Sequence, residues 1–209
     1  MKILFYGDSI TDASRNREND HILASYGFGY VSFVAGELLS KAPEDYQIIN
    51  RGISGNRIVD LYARVKADVW NHEPDLLSIL IGVNDIWHEI GHQNGVDIVR
   101  YEKMYRMLIE DTKERLPNVK LLLMEPFVLL GRATEEAYER FCEVKEYAKV
   151  VKKLAEEYGA YYLPLQEKLD ELAAQHSPTA YLADGVHPSV AGAKVIADEW
   201  LQLFKEKIH

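Results

Sequence analysis

Five short apolar runs, separated by stretches long enough for a helix, constrain this chain more than any other feature. They are Ile3 to Tyr6, Tyr46 to Asn50, Leu76 to Ile81, Val119 to Met124 and Ala160 to Leu163. Such runs are continuous rather than alternating, as in strands covered on both faces, and the intervening stretches have helical period. The expected fold class is therefore α/β: a five-stranded parallel sheet in a three-layer α/β/α sandwich. In the stretch from Thr134 to Tyr158, Ala137, Phe141, Val144, Ala148, Val151, Ala155 and Tyr158 recur at steps of three or four, predicting one helix with an apolar stripe. A last helix is expected to begin after His187, with Pro188 in its first turn, and to run to about Phe204.

Chemistry-bearing residues stand where these strands end. Gly7-Asp8-Ser9-Ile10-Thr11 directly follows the first run, and Asp184-Gly185-Val186-His187-Pro188 places an acid and an imidazole three residues apart. A serine hydroxyl becomes a nucleophile when a base takes its proton, and a carboxylate improves that base by holding its tautomer and stabilising the imidazolium. Acyl transfer also needs donors for the developing oxyanion. Asn50-Arg51-Gly52-Ile53-Ser54-Gly55-Asn56 offers a backbone donor, Gly52, and Gly82-Val83-Asn84-Asp85 a side-chain amide, Asn84. Ligands of open parallel sheets gather beyond the carboxyl ends of the strands, which is where Ser9, Gly52 and Asn84 fall. Asp8 is expected to shape its turn by bonding local N–H groups.

With these four blocks in this order, from Gly7 to Pro188, the chain resembles the SGNH hydrolases, the GDSL esterase and lipase family. The resemblance implies the strand order 2-1-3-4-5 of flavodoxin-like sheets, Ser9 as nucleophile and first oxyanion donor, Gly52 and Asn84 as the other donors, His187 as base and Asp184 as the residue that orients it. The text around Asn50–Asn56, Ile81–Trp87 and His187–Gly192 is similar to the branch holding acetylxylan and other carbohydrate acetylesterases. That branch implies an acetylated sugar as substrate and no cofactor or metal. A lipase-like esterase acting on lysophospholipid or platelet-activating-factor-like acetyl esters is the alternative, followed by a non-catalytic sugar-binding module.

Composition bounds the remaining choices. At 209 residues and 47% hydrophobic content the chain suits one domain spanning 1–209. A net charge of -9 disfavours nucleic acid and anionic membrane partners. The apolar stretch at the amino terminus is too short for a secretory signal, and a single cysteine, Cys142, excludes an intramolecular disulfide, so a cytoplasmic setting is expected. Cys142 lies in the helical stretch and is read as packing. Oligomeric state, including a homo-oligomer, is left open.

His88-Glu89-Ile90-Gly91-His92 matches the zinc-protease pattern, yet Gly91 and the following Gln93-Asn94-Gly95 read as a helix end, so exposed histidines on a short helix are expected. Ser54 is read as a turn former, and Thr11 stands where the α/β-hydrolase elbow has its second glycine. Trp87 either walls the acyl pocket or packs its helix onto the sheet. Tyr26, Phe28 and Tyr30 are assigned to the core.

Overall fold

The computed structural model describes residues 1–20 and 22–209. Its centre is a five-stranded, wholly parallel sheet of β1 (Lys2–Gly7), β2 (Gln47–Gly52), β3 (Leu76–Leu80), β4 (Lys120–Met124) and β5 (Tyr161–Leu163), in the order β2-β1-β3-β4-β5. Each expected strand is present within two residues of its predicted ends. Ile3, Leu4, Phe5 and Tyr6 are all fully buried. Successive side chains of a strand point to opposite faces, so a strand buried at every position needs cover on both.

The helices supply that cover. They are α1 (Ser9–Asp12), α2 (Tyr30–Lys41), α3 (Ile58–Asp68), α4 (Val83–His92), α5 (Ile98–Arg115), α6 (Tyr138–Phe141), α7 (Val144–Tyr158), α8 (Gln166–Gln175), α9 (Pro178–Tyr181) and α10 (Val190–Leu203). Phe5 faces α2 and α10, its ring centroid 5.7 Å from that of Tyr30 and 5.1 Å from that of Trp200. Tyr6, one residue on, faces α3, where its hydroxyl donates to the Leu61 carbonyl at 2.6 Å under the Arg64 guanidinium. α2 packs on α10, while α5 packs on α3 and α7. A buried polar link crosses the α10 side: Trp200 Nε1 donates to Ser78 Oγ at 3.0 Å.

Two local expectations are corrected. The stretch from Thr134 to Tyr158 is not one helix: α6 ends at Phe141 and α7 starts at Val144, with Cys142 half-buried in the turn between them. Thr134 is fully buried and its Oγ1 accepts from Gly131 N–H at 2.9 Å and donates to the Leu129 carbonyl, tying this part of the chain to the preceding loop. Phe141 meanwhile turns its ring onto Trp87, so two separate anchors outweigh one continuous stripe. Pro188 is not in the first turn of α10. Ser189 caps that helix through a hydrogen bond from Gly192 N–H, and Pro188 lies before the cap, bridging Leu182.

Candidate active site

β1 ends at Gly7 and the chain enters α1 at Ser9. Asp8 caps that turn, its Oδ1 accepting from Ile10 N–H at 2.9 Å as expected. The turn exits through Ala13 and Ser14, both at positive φ (41° and 58°), which stops the helix and leaves Ser9 at the edge of a cleft.

The opposite wall comes from the loop before α10. Asp184 Oδ1 accepts the N–H groups of Val186 (3.0 Å) and His187 (2.8 Å), while Oδ2 lies 2.8 Å from His187 Nδ1. With Nδ1 donating to the carboxylate, Nε2 accepts from Ser9 Oγ, 2.9 Å away. Burial pushes the Asp184 carboxyl up, but the imidazole and the two N–H groups outweigh it and hold the acid below its ordinary range. The loop is itself held by the segment after β4: Leu129 N–H donates to the Gly185 carbonyl and Ala133 N–H to that of Asp184, each at 2.9 Å. These supports lie in a stretch, Leu129 to Ala133, that carries none of the four motif blocks.

Asn84 sits at the start of α4, 4% exposed, with one amide hydrogen given to the Asn56 carbonyl at 3.1 Å. Gly52 does not serve as the sequence suggested. Its N–H donates to Asn50 Oδ1 at 2.8 Å, and a Cβ at this position would stand 2.2 Å from Asp12 N. The absent side chain thus lets β2 press against α1, and its amide is already engaged. Gly55, at φ 81°, is different: among the described residues its N–H, like that of Ser9, has no acceptor. Gly55 adjoins both Ser54, which lines the cleft, and Asn56, which touches Asn84.

The cleft encloses about 370 Å³ and is lined by Ser9, Ser14, Phe28, Ser54, His187 and Pro188 among others. Phe28 departs from expectation: Tyr30 is fully buried, but Phe28 is 81% exposed on the cleft wall. Its N–H is bonded to the Ala13 carbonyl at 2.8 Å, which fixes the backbone while leaving the ring outward. Trp87 is absent from the cleft lining; its ring centroid lies 5.9 Å from that of His187 and 5.6 Å from that of Phe141 on α6, so these ring contacts join it to the His187 loop and to a helix, not to the sheet. A larger groove of about 800 Å³ runs between α2 and α10; it contains none of these groups, and half of its lining is charged, with Glu37, Lys194 and Lys205 among them.

His88 and His92 lie on α4, which ends at His92 with Gln93 as its cap at φ 52°, and their ring centroids are 6.2 Å apart. Among the described residues no group of three or more His, Cys, Asp or Glu side chains gathers to hold a metal, and no helix is long and apolar enough to cross a membrane.

A hydroxyl, an imidazole and a carboxylate in series at the carboxyl edge of a parallel sheet are the groups that nucleophilic acyl transfer requires. The comparisons with known proteins give the family and the class of reaction. The chain belongs to the GDSL-like lipase/acylhydrolase family, whose model matches residues 5–195, and is a carboxylic ester hydrolase. It is 38% identical over 208 residues to the acetylxylan esterase of Geobacillus stearothermophilus, covering 96% of this chain and 92% of that one. A crystal structure of that esterase, a catalytic mutant with an aspartate replaced by alanine, matches at a TM-score of 0.87 and 36% identity, covering 96% of this chain and 92% of the other. A structure described as a GDSL-like lipase from Parabacteroides merdae matches at 0.90 and 40% identity, covering 96% and 94%.

Proposed function

We propose that this esterase removes acetyl groups from acetylated carbohydrates, of the xylo-oligosaccharide type, by a two-step acyl-enzyme mechanism. Ser9 Oγ attacks the ester carbonyl carbon as its proton passes to His187 Nε2, giving a tetrahedral oxyanion. His187 then protonates the departing sugar oxygen, leaving acetyl-Ser9, and water repeats the sequence to release acetate and restore Ser9. Asp184 keeps the His187 proton on Nδ1 and stabilises the imidazolium. The oxyanion donors in this reading are Ser9 N–H, the second Asn84 amide hydrogen and, in place of Gly52, Gly55 N–H.

The observation that carries the mechanism is the relay of 2.9 Å and 2.8 Å from Ser9 through His187 to Asp184. The sugar acetate rests on the similarity to the acetylxylan esterase, some of whose catalytic mutants replace a serine, an aspartate or a histidine. The single, half-buried Cys142 supports a cytoplasmic setting.

The test compares initial rates on p-nitrophenyl acetate and on a peracetylated xylose oligomer for the parent and Ser9→Ala. Acetate release from both esters by the parent and from neither by the variant is expected. Ser9→Ala turnover within a few-fold of the parent would remove the mechanism. A parent that spares the sugar ester and prefers long-chain nitrophenyl esters would move the substrate to the lipase-like class.

A further inference from the structure

The acid that follows the nucleophile by one turn, Asp12, takes no part in the relay, yet it is 2% exposed and carries four contacts. Its Oδ2 accepts from Ser54 N–H at 2.9 Å and from Ser54 Oγ at 3.0 Å, and forms an ion pair with Arg17 Nη2. Its Oδ1 lies 3.3 Å from Arg15 N. Its own N–H donates to the Asp8 carbonyl at 2.8 Å, so the carboxylate is anchored in the same backbone turn that holds Ser9. A buried carboxylate is costly unless paired and hydrogen-bonded, and Asp12 is both.

What Asp12 grips is the segment just before Gly55. On the other side of Gly55, Asn84 Nδ2 grips the Asn56 carbonyl. The Gly55 peptide is therefore bracketed by two side-chain pins, one reaching from the helix of Ser9 and the other from the helix of Asn84. Gly55 has no Cβ to oppose rotation and sits at a φ open to glycine, so its N–H direction depends on what holds its neighbours. An oxyanion donor works only when fixed in advance at the position where charge develops.

We propose that Asp12 is a positioning residue of this esterase: through Ser54 it fixes the loop that presents Gly55 N–H to the reacting carbonyl, joining nucleophile and backbone donor in one rigid unit. The proposal rests on the serine mechanism above. It predicts a loss in turnover rather than in substrate binding, because the donor is engaged chiefly after the carbonyl becomes tetrahedral. It also predicts that the ionisation governing kcat/KM stays in place, because Asp12 has no contact with His187.

The experiment measures p-nitrophenyl acetate hydrolysis across pH for the parent, Asp12→Ala, Asp12→Asn, Ser54→Ala and Ser9→Ala, with the reactive fraction of each set by labelling with a fluorophosphonate. For Asp12→Ala, kcat per labelled site is expected to fall about a hundredfold, with KM within about threefold. Asp12→Asn keeps one acceptor for Ser54 N–H and should recover about tenfold of that loss. Ser54→Ala removes only an exposed hydroxyl, leaves the core untouched, and should lower kcat about tenfold, which keeps the test open if Asp12→Ala does not fold. Asp12→Ala or Ser54→Ala turnover within twofold of the parent would overturn the proposal. So would a displaced pH profile, which would place Asp12 on the relay instead. Parental activity in Ser9→Ala would remove the underlying mechanism, a failure separable from that of Asp12.

Discussion

Replacing Asp8 by Asn should make the protein more stable, and increasingly so as pH rises from about 4 to 7. Asp8 is 1% exposed; its Oδ1 accepts from Ile10 N–H, but its Oδ2 has no hydrogen-bond partner. Burial pushes its carboxyl up from 3.8 to about 7, against smaller opposing pulls of which the Ile10 N–H is the largest. Between those two values lie about three decades of proton affinity, worth roughly 1.4 kcal/mol each, or about 4 kcal/mol in all. Well below pH 4 the acid is protonated in folded and unfolded chains alike, and no difference arises. As pH climbs, the unfolded chain ionises Asp8 while the folded one keeps its proton, so unfolding releases a proton and stability falls until about pH 7, where it levels. Asn has nothing to ionise and retains the cap acceptor. Asp85, also buried with its carboxyl raised well above the ordinary range, is common to both proteins and cancels to first order. Urea unfolding followed by tryptophan fluorescence at pH 4.5, 6, 7 and 8 would measure the gap. It should widen by roughly 3 kcal/mol between pH 4.5 and pH 8, in favour of Asn. A gap that stays constant with pH, or one that favours Asp at pH 8, would refute the reasoning.

Three further outcomes follow from the geometry. Asn84→Ala removes the side-chain donor and should lower kcat by a factor on the order of 10² to 10³ with an unchanged circular dichroism spectrum; steady-state rates within about tenfold of the parent would exclude Asn84 from the oxyanion site. Gly36 is exposed in the middle of α2 and an added Cβ would meet nothing within 4 Å, so Gly36→Ala should raise stability by up to ~1 kcal/mol in thermal unfolding. Gly52→Ala should be strongly destabilising in the same measurement, because its Cβ would overlap Asp12 N.

The strands and the relay were legible because each is written locally. Ile3 to Tyr6 and Leu76 to Leu80 are continuous apolar runs, and a run buried on both faces needs no tertiary information to be recognised. Asp184 and His187 are three residues apart, close enough for one short loop to bring them together whatever surrounds it. The helix expected from Thr134 to Tyr158 shows the opposite case. Its apolar period is real, but Thr134 is committed to Gly131 and Leu129 in the loop just before it and Phe141 to the distant Trp87, and the helix is interrupted between Phe141 and Val144. Phe28 is similar: an aromatic residue near a helix start reads as core, and only the bond from its backbone to Ala13 shows why its ring stays outside.

Gly52 and Gly55 mark the division most clearly. Composition and spacing alone determined that a glycine-bearing loop follows the second strand and that a parallel sheet carries it to the same edge as Ser9 and Asn84. Which glycine keeps its N–H free was decided by tertiary structure: the Asn50 side chain, held through its amide on the Thr11 and Tyr26 carbonyls, takes the Gly52 N–H, while Asp12 and Asn84 hold the neighbours of Gly55. A backbone N–H is the same donor at every position of the sequence. Its availability depends on which acceptor lies within about 3 Å; here the acceptor of Gly52 is only two residues away, on Asn50, but the amide of that side chain is held by the Thr11 and Tyr26 carbonyls, which folding alone brings to it.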